Sequence, residues 1–263
     1  MTAGLPTPLD VKLMNITASV LFAAFALLLA AAAGWWALRH QMFAIAAIAV
    51  EGDTSHNSVA MLRANVAPKL SGNFFTLDLQ RARAAFEAVP WVRHAVVRRQ
   101  FPNRLRVRLQ EHEAAALWGA EGAEGDSRLV NTYGEVFEAN VGDVEQDNLP
   151  RLAGPEGESA QVLAMYRALQ PVFEPLDLAI EQLTLSNRGS WAATLDSGAV
   201  IELGRGSGAE VVARTQRFAQ TLTQVTGKYG RSPEALVSAD LRHTDGYAVR
   251  LRGVSTTEPP AKK

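Results

Sequence analysis

The sequence predicts an α+β protein carried on one apolar N-terminal helix. Three observations predict it. No charged residue lies between Lys12 and Arg39. Residues 41–112 read in the order strand, helix, helix, strand, strand. Residues 113–253 then carry short β runs, each with its own turn, interrupted by two striped helices.

The apolar run "ITASVLFAAFALLLAAAAGWWAL" (16–38) would extend about 35 Å as a helix, enough for a hydrocarbon core of about 30 Å. Trp35 and Trp36 lie at one end, where indole rings favour the headgroup layer. A cleaved signal peptide is the competing reading, because "AAAAG" offers small residues to a peptidase, but the run is longer than a signal-peptide core. Lys12 on one side and Arg39 with His40 on the other leave the flanking charges nearly tied. A 15-residue leader is most simply left in the cytoplasm, with the bulk of the chain exported.

Past the anchor, Phe43–Gly52 reads as a strand ending at a Gly-Asp turn. Val59, Leu62 and Val66 fall on one face of a helix that Pro68 closes. Asp78 is placed to cap a second helix, striped by Leu79, Ala82, Phe86 and Val89 and stopped by Pro90. Trp91–Arg99 is a strand whose faces its side chains do not declare. Phe101–Asn103 turns the chain. In Arg104–Gln110, Leu105, Val107 and Leu109 alternate with Arg104, Arg106 and Arg108, so one face is buried and the other wet.

Hairpins are expected around Asn131–Gly134, Asp196–Gly198 and Asp245–Gly246. Val162, Tyr166 and Leu169 stripe one helix, and Val211, Phe218, Leu222 and Val225 another. This second region reads as mostly antiparallel sheet with helices on one side. The tail, residues 254–263, is polar and Pro-rich and reads as disordered.

Charge is unevenly spread although the formal net charge is only −1. Residues 89–112 hold six arginines against Glu111, and residues 111–160 hold twelve acids against Arg128 and Arg151. The arginine block suits a solvated sheet face, anionic lipid headgroups or cell-wall polymers. Export of the segment would remove nucleic acid as a partner. With no cysteine there is no disulfide, Cys-zinc site or thiol catalysis. The five histidines lack ligand spacing, and no nucleophile elbow occurs. "GRGSGA" (204–209) matches a dinucleotide fingerprint in letters, but the strand before it reads as the second arm of a hairpin, not the opening of a parallel βαβ unit. The sequence therefore predicts no enzyme, no cofactor, no metal and no small-molecule substrate.

Several pieces in order, "GNFFTLDL" (72–79), "PWVRHAVVRRQFPNRLRVRLQEH" (90–112), "LVNTYGEVF" (129–137), "LPRLAGPEG" (149–157), "ELGRG" (202–206) and "ADLRHTDGYAVR" (239–250), resemble the FtsQ/DivIB family of bacterial cell-division proteins. The resemblance implies a cytoplasmic leader (1–15), a transmembrane helix (16–38), a POTRA docking domain (41–112), the family's β domain (113–253) and a tail (254–263). It implies a single-pass inner-membrane protein, periplasmic in bulk and concentrated at the septum. Such a protein would recruit and regulate septal peptidoglycan synthesis through FtsB, FtsL and other division proteins.

The family's partner site would fall on a last strand, Tyr247, Ala248, Val249, Arg250 and Leu251, open to strand addition by FtsB. Arg242 would meet a partner carboxylate. His243 stands where the family usually has Tyr, and Arg188 lies near a second contact. Two other readings stand beside this one: a periplasmic cell-wall or anionic-polymer binder, and a POTRA-type component of outer-membrane assembly or secretion.

Overall fold

The computed structural model describes residues 9–39, 41–119, 128–144, 149–243 and 246–254. The chain divides into two units, Met1–Glu111 and His112–Lys263. The apolar run folds as α1 (Leu9–Arg39), which begins earlier than the predicted span and takes in Asp10 and Lys12. Asp10 sits in its first turn, where a negative charge complements the helix dipole. Residues 9–36 are long and apolar enough to cross a membrane, and their most apolar 18-residue stretch has a mean hydropathy of 2.4.

The rest of the first unit is β1 (Ala47–Gly52), α2 (Val59–Val66), α3 (Leu79–Glu87), β2 (Val92–Gln100) and β3 (Arg104–Glu111). Its sheet order is β1-β3-β2, with β1 parallel and β2 antiparallel to β3. Ser58 caps α2 through Met61 N–H, and Asp78 caps α3 through the N–H groups of Gln80 and Arg81. Leu105, Val107 and Leu109 point inward against Leu62, Phe86 and Ala82, as the alternation of β3 predicts. Each such buried side chain is worth roughly 1.5–3 kcal/mol.

The faces of β2 were illegible for a physical reason. The register shifts between Val92 and His94, so Arg93 is an extra residue and both Val92 and Ala95 reach the core.

Glu111 ends β3 with its carboxylate buried. Its Oε1 accepts from Asn57 N–H (3.1 Å) and Asn57 Nδ2 (2.9 Å). Its Oε2 accepts from His56 N–H (2.9 Å) and lies 3.1 Å from His56 Nδ1. The His56 ring stacks on Trp91 at 3.9 Å, and Trp91 adopts φ 71°.

The second unit is one sheet of β4 (Ala114–Trp118), β5 (Arg128–Asn131), β6 (Val136–Glu138), β7 (Arg151–Ala153), β8 (Ile180–Leu185), β9 (Trp191–Leu195), β10 (Val200–Gly204), β11 (Leu236–Asp240) and β12 (Ala248–Leu251). Their order is β12-β11-β10-β9-β8-β7-β4-β5-β6. Helices α4 (Ser159–Phe173) and α5 (Gly208–Gly227) supply the predicted stripes, with Val162, Leu169, Val211, Phe218 and Leu222 fully buried. All three expected hairpins form, β5–β6, β9–β10 and β11–β12, although the tip at Asp245 lies outside the described residues. The expected disorder of residues 255–263 likewise lies outside them.

The turn at Gly134 (φ 85°) carries its own constraint. A Cβ there would meet Ala160 Cα at 2.6 Å, and Ser159 Oγ donates to Gly134 O at 2.6 Å.

The sheet is more mixed than the sequence predicts. Antiparallel pairs predominate, but β10–β11, β7–β8 and β4–β7 are parallel. Strand β10 is the second arm of a hairpin, as read, and it also opens a parallel β10–α5–β11 crossover, contrary to that reading.

Candidate functional site

Strand β12 is the terminal strand of the large sheet, paired to β11 on one side and to no other strand among the described residues. Leu251 is buried and Val249 packs against the core, so this side of β12 is bolted to the domain. Ala248 and Arg250 are exposed on the opposite face. A sheet edge of this kind holds backbone N–H and C=O groups that another strand can satisfy.

Tyr247, expected as the first residue of the strand, lies just before it. Its ring meets Phe218 edge-on at 5.0 Å, and its hydroxyl hydrogen-bonds Thr221 Oγ1 at 2.5 Å. Tyr247 therefore fastens the start of the edge to α5. His243 is exposed and lines a hollow of about 390 Å³ with Tyr247, Arg214, Arg217 and Phe218.

Arg242 follows β11 and is held by Asp240. Its Nε donates to Asp240 Oδ1 (2.9 Å) and its Nη2 to Asp240 Oδ2 (2.6 Å), a two-pronged pair. The Arg242 backbone N–H donates to Oδ1 as well, at 3.0 Å. These bonds from Arg242 draw the Asp240 carboxyl down to about 2 and push the guanidinium up. The Arg242 side chain remains 58% exposed. Asp240 was missed in the sequence, although an acid two residues before an arginine, at a strand end, is a readable signal.

Arg188 sits in the β8–β9 turn and is exposed. Registers carry its position across the sheet: Leu185 pairs Trp191, Trp191 pairs Gly204, Glu202 pairs Asp240, and Asp240 pairs Ala248. Arg188, Arg242 and the start of β12 thus share one end of the sheet. Arg188 belongs to strands two and three places from β11, about 10–15 Å across at the usual strand spacing.

The "LGRG" turn lies at that same end and is closed to anions. Ser207 and Glu210 form a reciprocal cap at the N-terminus of α5, with Ser207 N–H donating to Glu210 Oε2 at 2.7 Å. A carboxylate thus occupies the place a phosphate would take, and the two bonds from Ser207 hold it below the usual carboxylate range. Gly204, at φ 81°, serves packing instead. A Cβ there would lie 2.8 Å from Arg214 Nη1 and 2.9 Å from Arg242 Cγ. The glycine makes room for Arg242 beside the sheet. Among the described residues no group of three His, Cys, Asp or Glu could hold a metal ion.

An apolar helix, a small β-α-α-β-β module and a wider sheet unit make up the chain, and the latter two can be compared with known families. Residues 43–112 match the profile described as POTRA domain, FtsQ-type, and residues 116–242 match Cell division protein FtsQ/DivIB, C-terminal. The chain is 40% identical to a cell division protein FtsQ of Burkholderia pseudomallei, over 93% of its own length and 94% of the relative's. It is 39% identical to FtsQ of Thiomonas arsenitoxydans (94% and 89% covered) and 39% identical to FtsQ of Bordetella pertussis (92% and 92%). The chain belongs to the FtsQ/DivIB family of cell-division proteins. The second matched segment stops at Arg242, so β12 lies beyond it.

Proposed function

We propose that the chain is a non-catalytic, single-pass inner-membrane scaffold that docks FtsB by strand addition along β12, and through it FtsL and the enzymes of septal wall synthesis. In this reading α1 crosses the membrane, its N-terminal leader is cytoplasmic and both folded units are periplasmic. The observation that carries it is the terminal place of β12, whose outer side pairs with no other strand among the described residues.

Ala248, Val249, Arg250 and Leu251 offer the backbone; Tyr247 and Leu251 keep that backbone in place. Arg242 supplies a charged group at the start of the edge, with Arg188 on the same sheet end. His243 occupies the family's Tyr position beside the hollow under Tyr247, where a partner side chain can enter. Because Arg242 is already paired and mostly exposed, its truncation should cost less than the roughly 2–5 kcal/mol of a fully buried interfacial pair.

The test is a titration of the full chain, in detergent micelles, with a peptide from the C-terminal half of FtsB, read by hydrogen exchange. Saturable binding should protect amides within residues 248–251. Val249→Pro should weaken binding while circular dichroism stays normal, since proline removes a donor and clashes within a ladder. Binding that leaves those amides unprotected would place the partner elsewhere.

A further inference from the structure

The first unit carries an exposed aromatic cluster that its core does not use. Phe43 meets Phe75 at 4.9 Å, Phe75 meets Phe74 at 5.2 Å, and Phe74 meets Phe101 at 6.1 Å. Phe75 is 46% exposed, Phe101 73% and neighbouring Met42 57%. Three separate pieces of chain build it: the connection after α1, the "GNFF" loop and the tip of the β2–β3 hairpin.

Backbone bonds lock the three pieces together. Phe74 N–H donates to Phe43 O (2.8 Å), Ala46 N–H to Asn103 O (2.9 Å), and Ala44 bridges Asn73. Asn73 Oδ1 accepts from the N–H groups of Phe75 and Thr76, and Arg99 Nη2 donates to Leu77 O at 2.7 Å. The loop therefore holds Phe75 outward beside the exposed Phe101, with Phe43 and Phe74 half-buried behind them. Nothing about the sheet requires them there, and an exposed apolar patch on a small module signals a contact surface.

Two facts name the occupant. Phe43 follows the end of α1 by four residues, at most about 14 Å of chain. The cluster is thus tethered beside whatever surface the helix leaves. The outer face of the adjoining sheet is also cationic. Arg104, Arg106 and Arg108 of β3 and Arg98 of β2 are exposed on it, with Glu51 the single acid in register with them.

We infer that Phe43, Phe74, Phe75 and Phe101 form a foot that seats this module in the headgroup layer of an anionic bilayer, with the arginine face drawn to lipid phosphates. The inference rests on the reading that α1 spans that bilayer. Aromatic rings favour the interfacial layer, and guanidinium groups pair with phosphate oxygens. The module would stand on the membrane with its hairpin tip down, instead of tumbling on its tether.

The absence of cysteine makes the test direct. The full chain, as Ser71→Cys or Ser55→Cys, is labelled with one fluorophore and reconstituted into phosphatidylcholine vesicles with or without phosphatidylglycerol and a headgroup-attached nitroxide quencher. Ser71 is exposed beside the foot, and Ser55 is exposed past the far end of β1, about 20 Å away along the strand. Expected is several-fold stronger quenching at Ser71 than at Ser55 in the anionic vesicles.

That difference should shrink in pure phosphatidylcholine and in about 1 M salt, where the screening length falls to about 3 Å. Phe75→Ser combined with Phe101→Ser should abolish it. Equal quenching at the two labels, or a difference indifferent to lipid charge and salt, overturns the proposal and leaves the surface to a protein partner. Release of the unlabelled chain by an alkaline carbonate wash would instead overturn the membrane-spanning reading of α1 itself.

Discussion

Glu111→Ala removes the buried carboxylate that ties the end of β3 to the residues entering α2. Two of its four contacts come from Asn57, itself 2% exposed, so the mutation strands two buried donors, the Asn57 N–H and one hydrogen of Nδ2. The second Nδ2 hydrogen keeps its bond to Pro90 O at 3.0 Å. A stranded buried donor costs roughly 1–3 kcal/mol. The His56 backbone bond adds less because that segment is partly exposed.

Part of this loss is returned, since the mutant no longer buries a carboxylate. The net expectation is about 2–4 kcal/mol. Glu111→Gln should cost about half as much, because its carbonyl oxygen still serves Asn57 while its amide nitrogen faces the His56 N–H. The assay is urea unfolding of the full chain in detergent, followed by circular dichroism. At a slope of about 1 kcal/mol/M for so small a module, the midpoint of its transition should fall by about 2–4 M for the alanine variant. A fall below about 0.5 M, or a glutamine variant worse than alanine, would refute this account of Glu111.

Three further outcomes are expected. The Asp240 carboxyl has its folded value depressed from 3.8 to about 2, so the stabilisation from its pair with Arg242 is full above about 3.8 and is lost as pH falls through about 2; carboxyl carbon NMR should follow this, and a midpoint near 3.8 would sink the pairing. Replacing Arg104, Arg106 and Arg108 together by Gln should change stability by less than about 1 kcal/mol, because the Arg106–Glu51 contact at 3.4 Å is about half exposed on both sides; a collapsed melting temperature would show a structural role. Gly134→Ala should destabilise by about 2 kcal/mol or more through its left-handed φ and the clash with Ala160, and a melt unchanged from wild type would contradict that turn geometry.

What the sequence made legible follows from where one physical pattern dominates. Strand β3 announces itself because only one of its faces is buried, so arginine and aliphatic residues must alternate. Asp78 is readable as a cap because a helix start needs an oxygen acceptor there. The faces of β2 are not readable, since the extra residue at Arg93 breaks the period of two. Strand β7 is three residues long, too short for any period. The parallel pairing of β10 with β11 spans the whole of α5 and leaves no local trace, while the Asp196–Gly198 turn advertises only the hairpin on the other side. For the candidate site, the strand composition of 248–251 is local and legible. Its place at the sheet's end depends on the order of eight other strands, and the engagement of Arg242 by Asp240 is seen only in coordinates.

That engagement shapes how a newcomer would be received. A lone guanidinium at a sheet's rim would greet every passing phosphate or acidic tail; one already clasped by its own carboxylate greets few. On the proposed strand-addition reading, an incoming acid gains little by charge alone and must also bring a backbone that pairs with β12. If β12 receives a partner as proposed, selectivity lies in a trade of one clasp for another, with Asp240 as the incumbent that sets the terms.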